Sequence, residues 1–119
     1  DALPIYYYKY AKRHDLSYDV IVLDPPSFAR NKKRTFSVAK DYHRLVSEAL
    51  EILNPGGTLI LSTNAANVTK EKFKKQIEKG FQGRKHRYLA EYGLPGDFRW
   101  NKKEESSNYL KVFTIRVDV

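Results

Sequence analysis

The chain has 119 residues, enough for one domain with a modest core. It sets 22 Lys plus Arg against 14 Asp plus Glu, a formal net charge of +8 with 13% aromatic residues. That balance suits a polyanionic partner, nucleic acid before membrane, since no basic amphipathic helix with a Trp/Leu face is evident. The absence of Cys excludes disulfides, thiolate metal ligands and a cysteine nucleophile, and no signal peptide or membrane-spanning apolar stretch is present, so a soluble cytoplasmic protein is expected.

The opening Asp1-Ala2-Leu3-Pro4-Ile5 fits poorly with the helical, Tyr-rich segment behind it and resembles a translated adapter. Residues 1–5 are therefore set aside as non-native, and the lack of any Met points to a chain cut at its front. Tyr6 to His14 reads as a helix. Asp19 to Leu23 is the first clear strand, and the unbroken run Val20-Ile21-Val22-Leu23 predicts burial on both faces, as in a parallel sheet covered by helices. Arg30 to Arg34 is a basic loop. Tyr42, Leu45, Val46, Ala49, Leu50 and Leu53 then form one helical stripe, stopped at Asn54-Pro55-Gly56-Gly57.

Thr58 to Ser62 is a second apolar strand, and Ser62 to Asn67 its polar exit loop. The next helix has Thr69 as N-cap, Val68 placed to staple against Phe73, and Gly80 as the C′ residue. Its stripe is thin, mainly Phe73 and Ile77, among Lys70, Lys72, Lys74, Lys75 and Lys79, which read as a solvated face covering a sheet from outside. Arg84-Lys85-His86-Arg87 is a second basic loop, Tyr88 to Tyr92 a strand, Gly93 to Ser107 a turn-rich polar stretch, and Tyr109 to Val117 the last strand. This alternation means α/β with a mostly parallel sheet. The last two strands lack a helix between them and should pair antiparallel.

Two polar loops follow the two central strands and should lie side by side at one edge of the sheet: Asp24 to Phe28 and Ser62 to Asn67. Asp24 is a charged acceptor at a strand end. Pro25 and Pro26 stiffen the loop and remove two donors, leaving carbonyls to accept from a ligand. Phe28 offers a flat face for stacking on a base, and Asn64 and Asn67 could read a base edge. Each has a plainer reading: a strand-terminal Asp often caps a turn, Phe28 could be core, and Asn is common in loops. Their convergence favours a site. His14, His43 and His86 are not at metal-ligand spacing, and no metal is expected. Gly56-Gly57 is a turn, and no P-loop, Rossmann glycine fingerprint or GxSxG occurs.

Tyr18 to Arg30 with its Asp24-Pro25-Pro26-Ser27-Phe28, the helix end Leu53-Asn54-Pro55-Gly56-Gly57, and the tail Glu105 to Phe113 resemble the C-terminal half of a bacterial class I S-adenosylmethionine-dependent methyltransferase. Within that class the resemblance is greatest to the 23S ribosomal RNA base methyltransferases, and it runs from Tyr6 to Val119. It implies a Rossmann-like class I fold of which residues 6–119 are the C-terminal part, S-adenosylmethionine as cofactor and ribosomal RNA as partner. The glycine-rich cofactor loop of such enzymes would lie upstream. Asp24, Pro25 and Pro26 would line the meeting point of methyl donor and target base, Asp24 and Pro25 also touching the cofactor, with Phe28 beside the base. Ser62, Thr63 and Asn64 would complete the site, and Arg30, Lys32, Lys33, Arg34, Arg84, Lys85 and Arg87 would bind RNA phosphates.

Relatives that methylate cytosine at carbon 5 carry a Cys where this chain has Thr63, and without that thiolate the covalent route is closed. Relatives that methylate guanine at nitrogen 7 have Asn there, and that nitrogen already presents a lone pair. Direct attack by a ring nitrogen is therefore expected. The competing readings are a non-catalytic RNA-binding half-domain, a cytosine-enzyme homologue without its nucleophile, and a methyltransferase for protein or small molecules. The fragment by itself is expected to be inactive.

Overall fold

A computed structural model describes residues 4–30, 35–93 and 109–118. Helix α1 (Pro4–Arg13) precedes strand β1 (Tyr18–Leu23); β2 (Phe28–Arg30) and β3 (Thr35–Ser37) follow. Then come α2 (Val38–Glu51), β4 (Leu53–Thr63), α3 (Lys70–Phe81), β5 (His86–Tyr92) and β6 (Lys111–Val117). The main sheet has four strands in the order β1-β4-β6-β5. β1 pairs parallel with β4, and β6 runs antiparallel between β4 and β5. The expected sheet, mostly parallel with an antiparallel last strand, is what the chain forms. Helix α1 begins at Pro4, inside the stretch set aside above, because proline is well accepted at the first position of a helix.

Alternation along the inner strands decides where the core lies. Leu59 and Leu61 of β4 share one face with Phe113, Ile115 and Val117 of β6, and α2 and α3 close over that face with Tyr42, Val46, Phe73, Ile77 and Phe81. Aromatic rings cross this layer in a chain. Tyr42 meets Phe73 edge-on at 4.8 Å, Phe73 meets Phe113 at 5.7 Å, and Phe113 meets Tyr88 at 5.4 Å. The start of α3 follows expectation: the Thr69 hydroxyl accepts from Lys72 N at 3.1 Å, and Val68 and Phe73 are both buried in the core.

Four expectations are corrected. β1 is not buried on both faces: Val20 is 55% and Val22 61% exposed, since among the described residues α2 and α3 cover only the opposite face of the sheet. Asn54 to Gly57 does not separate helix from strand but interrupts β4 itself, the pairing with β1 jumping from Tyr18↔Leu53 to Val20↔Thr58. Gly56, at φ 79°, supplies the turn within that jump. The basic loop after Phe28 is flanked by strands, with Phe28 opposite Ser37 and Arg30 opposite Thr35. Gly80 is not the C′ residue: α3 runs on to Phe81, and the left-handed cap is Gln82 at φ 51°. Gly80 instead lets α3 lie against α2, for a Cβ there would stand 2.5 Å from Val46 Cβ and 2.7 Å from the carbonyl of His43.

Candidate functional site

Parallel pairing sends β1 and β4 out of the sheet at the same edge, so the loops after Leu23 and Thr63 must leave side by side. Asp24 continues the parity of Val20 and Val22, and Ser62 that of Thr58 and Ile60, on the sheet face opposite the helices. The two side chains meet there: Ser62 Oγ donates to Asp24 Oδ1 at 2.7 Å and lies 3.4 Å from the carbonyl of Leu23. This contact joins the two sequence-predicted loops through their side chains. Asp24 remains exposed, Pro25 is buried, and Pro26 is exposed beside them. With no N–H at either proline, the crevice wall offers acceptors rather than donors.

Phe28 is 58% exposed at the start of β2, so it is not a core residue and its face is open to a ligand. β2 is fixed by its pairing with β3, and the carbonyl of Ser27 accepts from Val38 N at 3.1 Å, which ties the loop to the start of α2. Asn64 and Asn67 are exposed in the second loop. Thr63 is fully buried, its hydroxyl accepting from Ala65 N at 3.1 Å, so it turns away from the crevice and shapes its own loop. Alternation accounts for this. Ser62 and Thr63 point to opposite sides of β4, and only Ser62 can reach Asp24.

Two further residues support the crevice and were not among the predicted site residues. The Tyr42 hydroxyl stands 3.1 Å from the carbonyl of Leu23 and 3.1 Å from that of Ser62. Burial pushes this hydroxyl well above the usual tyrosine range, a hydrogen bond to Ser62 opposes the rise, and the Asp24 charge adds to it. Lys111, opposite Thr63 on β6, is buried and donates to the carbonyl of Ala65 at 3.0 Å and to that of Tyr109. Desolvation lowers its ammonium from the usual lysine range. Tyr42 heads the apolar stripe of α2, so periodicity reads it as packing, and Lys111 is hidden in a strand of alternating burial.

The predicted phosphate-binding residues divide. Arg30 is exposed on β2, near Phe28, while Lys32, Lys33 and Arg34 lie outside the described residues. Arg84, Lys85 and Arg87 are not brought to the crevice. Arg87 pairs with Arg116, which pairs with Thr58, so this loop borders the opposite end of β4, about 17 Å along the strand from Thr63. The tail from Glu105 to Asn108 lies outside the described residues.

A family model described as S-adenosylmethionine-dependent methyltransferase matches residues 5–82. The chain is 44% identical over 112 residues to YwbD of Bacillus subtilis, named as a candidate ribosomal RNA large subunit methyltransferase, covering 92% of this chain and 28% of that protein. It is 29% identical over 108 residues to ribosomal RNA large subunit methyltransferase I of Salmonella paratyphi B, covering 89% and 27%. Among solved structures it superposes with TM-score 0.80 and 63% identity on SMU.776, a candidate methyltransferase complexed with SAH, covering 93% of this chain and 29% of that one. A candidate SAM-dependent methyltransferase from Streptococcus mutans gives TM-score 0.79 at 56% identity, covering 98% and 30%. The chain thus spans less than a third of the length of these relatives.

Proposed function

The chain belongs to the S-adenosylmethionine-dependent methyltransferases, and from that premise we propose that the protein it represents methylates a base of large-subunit ribosomal RNA, this chain supplying the part of the site that holds the base. The observation that carries the reading is the meeting of Asp24 and Ser62 at the carboxyl ends of two adjacent parallel strands, with the exposed ring of Phe28 four residues after Asp24 in the chain. The names of the relatives support RNA as the substrate.

The donor set at the crevice fits one end of the cofactor. An exposed carboxylate and a donor-free proline wall suit the positive sulfonium and its neighbouring polar groups, so Asp24 and Pro25 would hold that end. When bound, S-adenosylmethionine supplies a methyl group made electrophilic by the sulfonium. What this chain contributes is placement. Asp24 and the Pro25 and Pro26 region accept from the base's N–H edge, Phe28 stacks on its face, and Asn64 holds the remaining edge. Arg30 would bind a neighbouring phosphate, and so would Lys32, Lys33 and Arg34. Any phosphate contact by Arg84, Lys85 and Arg87 would belong to a distant part of a folded RNA.

The nucleophile in this reading is a ring nitrogen, guanine N7 or one like it. Such a nitrogen attacks in line without prior deprotonation, so correct positioning can supply most of the rate enhancement, on the order of 7 to 11 kcal/mol. The buried, internally bonded Thr63 supports a route without covalent addition, since nothing at that position reaches the crevice. The full-length protein should transfer radiolabelled methyl groups to 23S ribosomal RNA, and digestion to nucleosides should yield 7-methylguanosine. Recovery of 5-methylcytidine would overturn the ring-nitrogen assignment. Folded, cofactor-binding protein that transfers nothing would overturn the enzyme reading in favour of an RNA-binding module.

A further inference from the structure

Tyr42 is fully buried, and a phenylalanine would fill the same volume against Phe73, whose ring it meets at 88°. The hydroxyl therefore needs an explanation beyond packing, because burying it costs free energy unless it finds partners. Its partners are the carbonyls of Leu23 and Ser62, each at 3.1 Å. Pairing between β1 and β4 ends with Leu23↔Leu61, so these carbonyls lie where the two strands part and the crevice loops begin. The Ser62 hydroxyl lies in the same place, 2.7 Å from Asp24 Oδ1 and 3.4 Å from the Leu23 carbonyl. Two hydroxyl protons thus serve three acceptor oxygens, those of Leu23, Ser62 and Asp24.

We propose that Tyr42 is a positioning residue for methyl transfer: its hydroxyl, delivered from α2, couples the carboxyl end of β1 to that of β4 and so fixes Asp24 relative to Asn64. The inference rests on the function proposed above, where Asp24 and Asn64 grip one base from two loops. A single proton shared between two carbonyls holds both strand ends to one point, and the Ser62 hydroxyl transmits that placement to the Asp24 carboxylate. Burial keeps the phenol protonated, and therefore a donor, throughout the ordinary pH range.

The test uses the full-length protein, with Tyr42→Phe as the main variant and Ser62→Ala as the second. With radiolabelled S-adenosylmethionine and 23S ribosomal RNA, Tyr42→Phe should lower kcat about 10- to 100-fold while KM for RNA stays within about twofold. Ser62→Ala should lower kcat less, since it removes the link to Asp24 alone. A residue that only stabilises the fold would lower the melting temperature and leave kcat intact at temperatures where the variant is folded; that result overturns the proposal. Amide hydrogen exchange provides a readout independent of substrate. Exchange should quicken in both loops, residues 24–28 and 62–67, in Tyr42→Phe and remain unchanged in α3 and β5. Unchanged exchange in either loop overturns the proposal even if the wild type transfers nothing to RNA, whereas quickened loops in an inactive wild type would count against the RNA reading and not against the brace.

Discussion

The crevice at the carboxyl ends of β1 and β4 and the corner where α3 meets β5 are held together by different means. The crevice relies on hydroxyl donors, Tyr42 on the backbone carbonyls of Leu23 and Ser62, and Ser62 on the Asp24 carboxylate and close to the Leu23 carbonyl. The corner is held by side chains bound to side chains. Glu78 accepts from Tyr88 and stands 2.7 Å from His86 Nε2, His86 stacks on Phe81 at 3.7 Å, and Lys74 lies 4.6 Å over the ring of Tyr88. Lys70 and Glu91 add an ion pair at 2.5 Å. Ionisable groups at the corner are accordingly displaced. Burial and then Glu78 push the Tyr88 hydroxyl far up, while burial works to raise Glu78 but the hydrogen bonds from Tyr88 and His86 outweigh it and hold the carboxyl low. Perturbed titration often marks a reaction site. Here the corner's perturbed groups dock a helix on a sheet edge, and the crevice leaves one carboxylate within reach of solvent.

Substitutions at the two regions should separate activity from stability. The largest expected effect is at the crevice: Asp24→Ala in the full-length protein should reduce methyl transfer on the order of 100-fold while RNA affinity, measured by filter binding, stays within about threefold. Comparable turnover would remove Asp24 from the site. Next comes the helix contact behind the corner. Alanine normally improves a helix interior, yet Gly80→Ala should destabilise by about 1 to 3 kcal/mol in urea unfolding, because its methyl would collide with Val46 and the His43 carbonyl. A gain in stability would refute the close packing of α2 on α3.

Acid should distinguish the corner. Because the folded-state carboxyl of Glu78 is lowered, its contribution to stability is present above the ordinary carboxylate range, near pH ~4.3, and is lost as pH falls through the folded value. Glu78→Gln should flatten that part of the urea-midpoint profile below about pH 5 and leave the neutral kcat unchanged. An unaltered acid limb would show that the pair with Tyr88 and His86 carries no weight in solution. The smallest effect belongs to Arg30, where Arg30→Ala should reduce the salt dependence of RNA binding by a slope of about one without changing the modified nucleoside.

Much of this organisation was legible from residue order, for identifiable reasons. The stripe from Tyr42 to Leu50, though not its expected end at Leu53, which starts β4, the cap at Thr69 and the apolar runs at residues 20–23 and 58–62 each carry a periodicity or a boundary signal strong enough to survive tertiary context. The convergence of the two polar loops followed from parallel pairing alone. Less visible were features whose cause is non-local. The three-residue strands β2 and β3 are too short to show a period, and Gly80 reads as a stop because proximity to α2 leaves no trace in its own segment. Within the crevice, the position of Asp24 was legible from its type and its place at a strand end. The opposite aims of Ser62 and Thr63 required knowing where β4 ends, and the role of Tyr42 required both loops in place.

The last strand is inserted into the interior of the sheet rather than added at its rim. Among the described residues, strand β5 touches the sheet through β6 alone, with no ladder to β4. During synthesis the earlier strands therefore emerge first, and β5 must wait beside α3 until residues 111–117 leave the ribosome and slide between it and β4. Any product of premature termination before Lys111 would carry two unsatisfied strand borders, one on β4 and one on β5, and would be a substrate for chaperones or aggregation. The order of strands thus makes synthesis of residues 111–117 a checkpoint for the joining of β5 to β4 through β6.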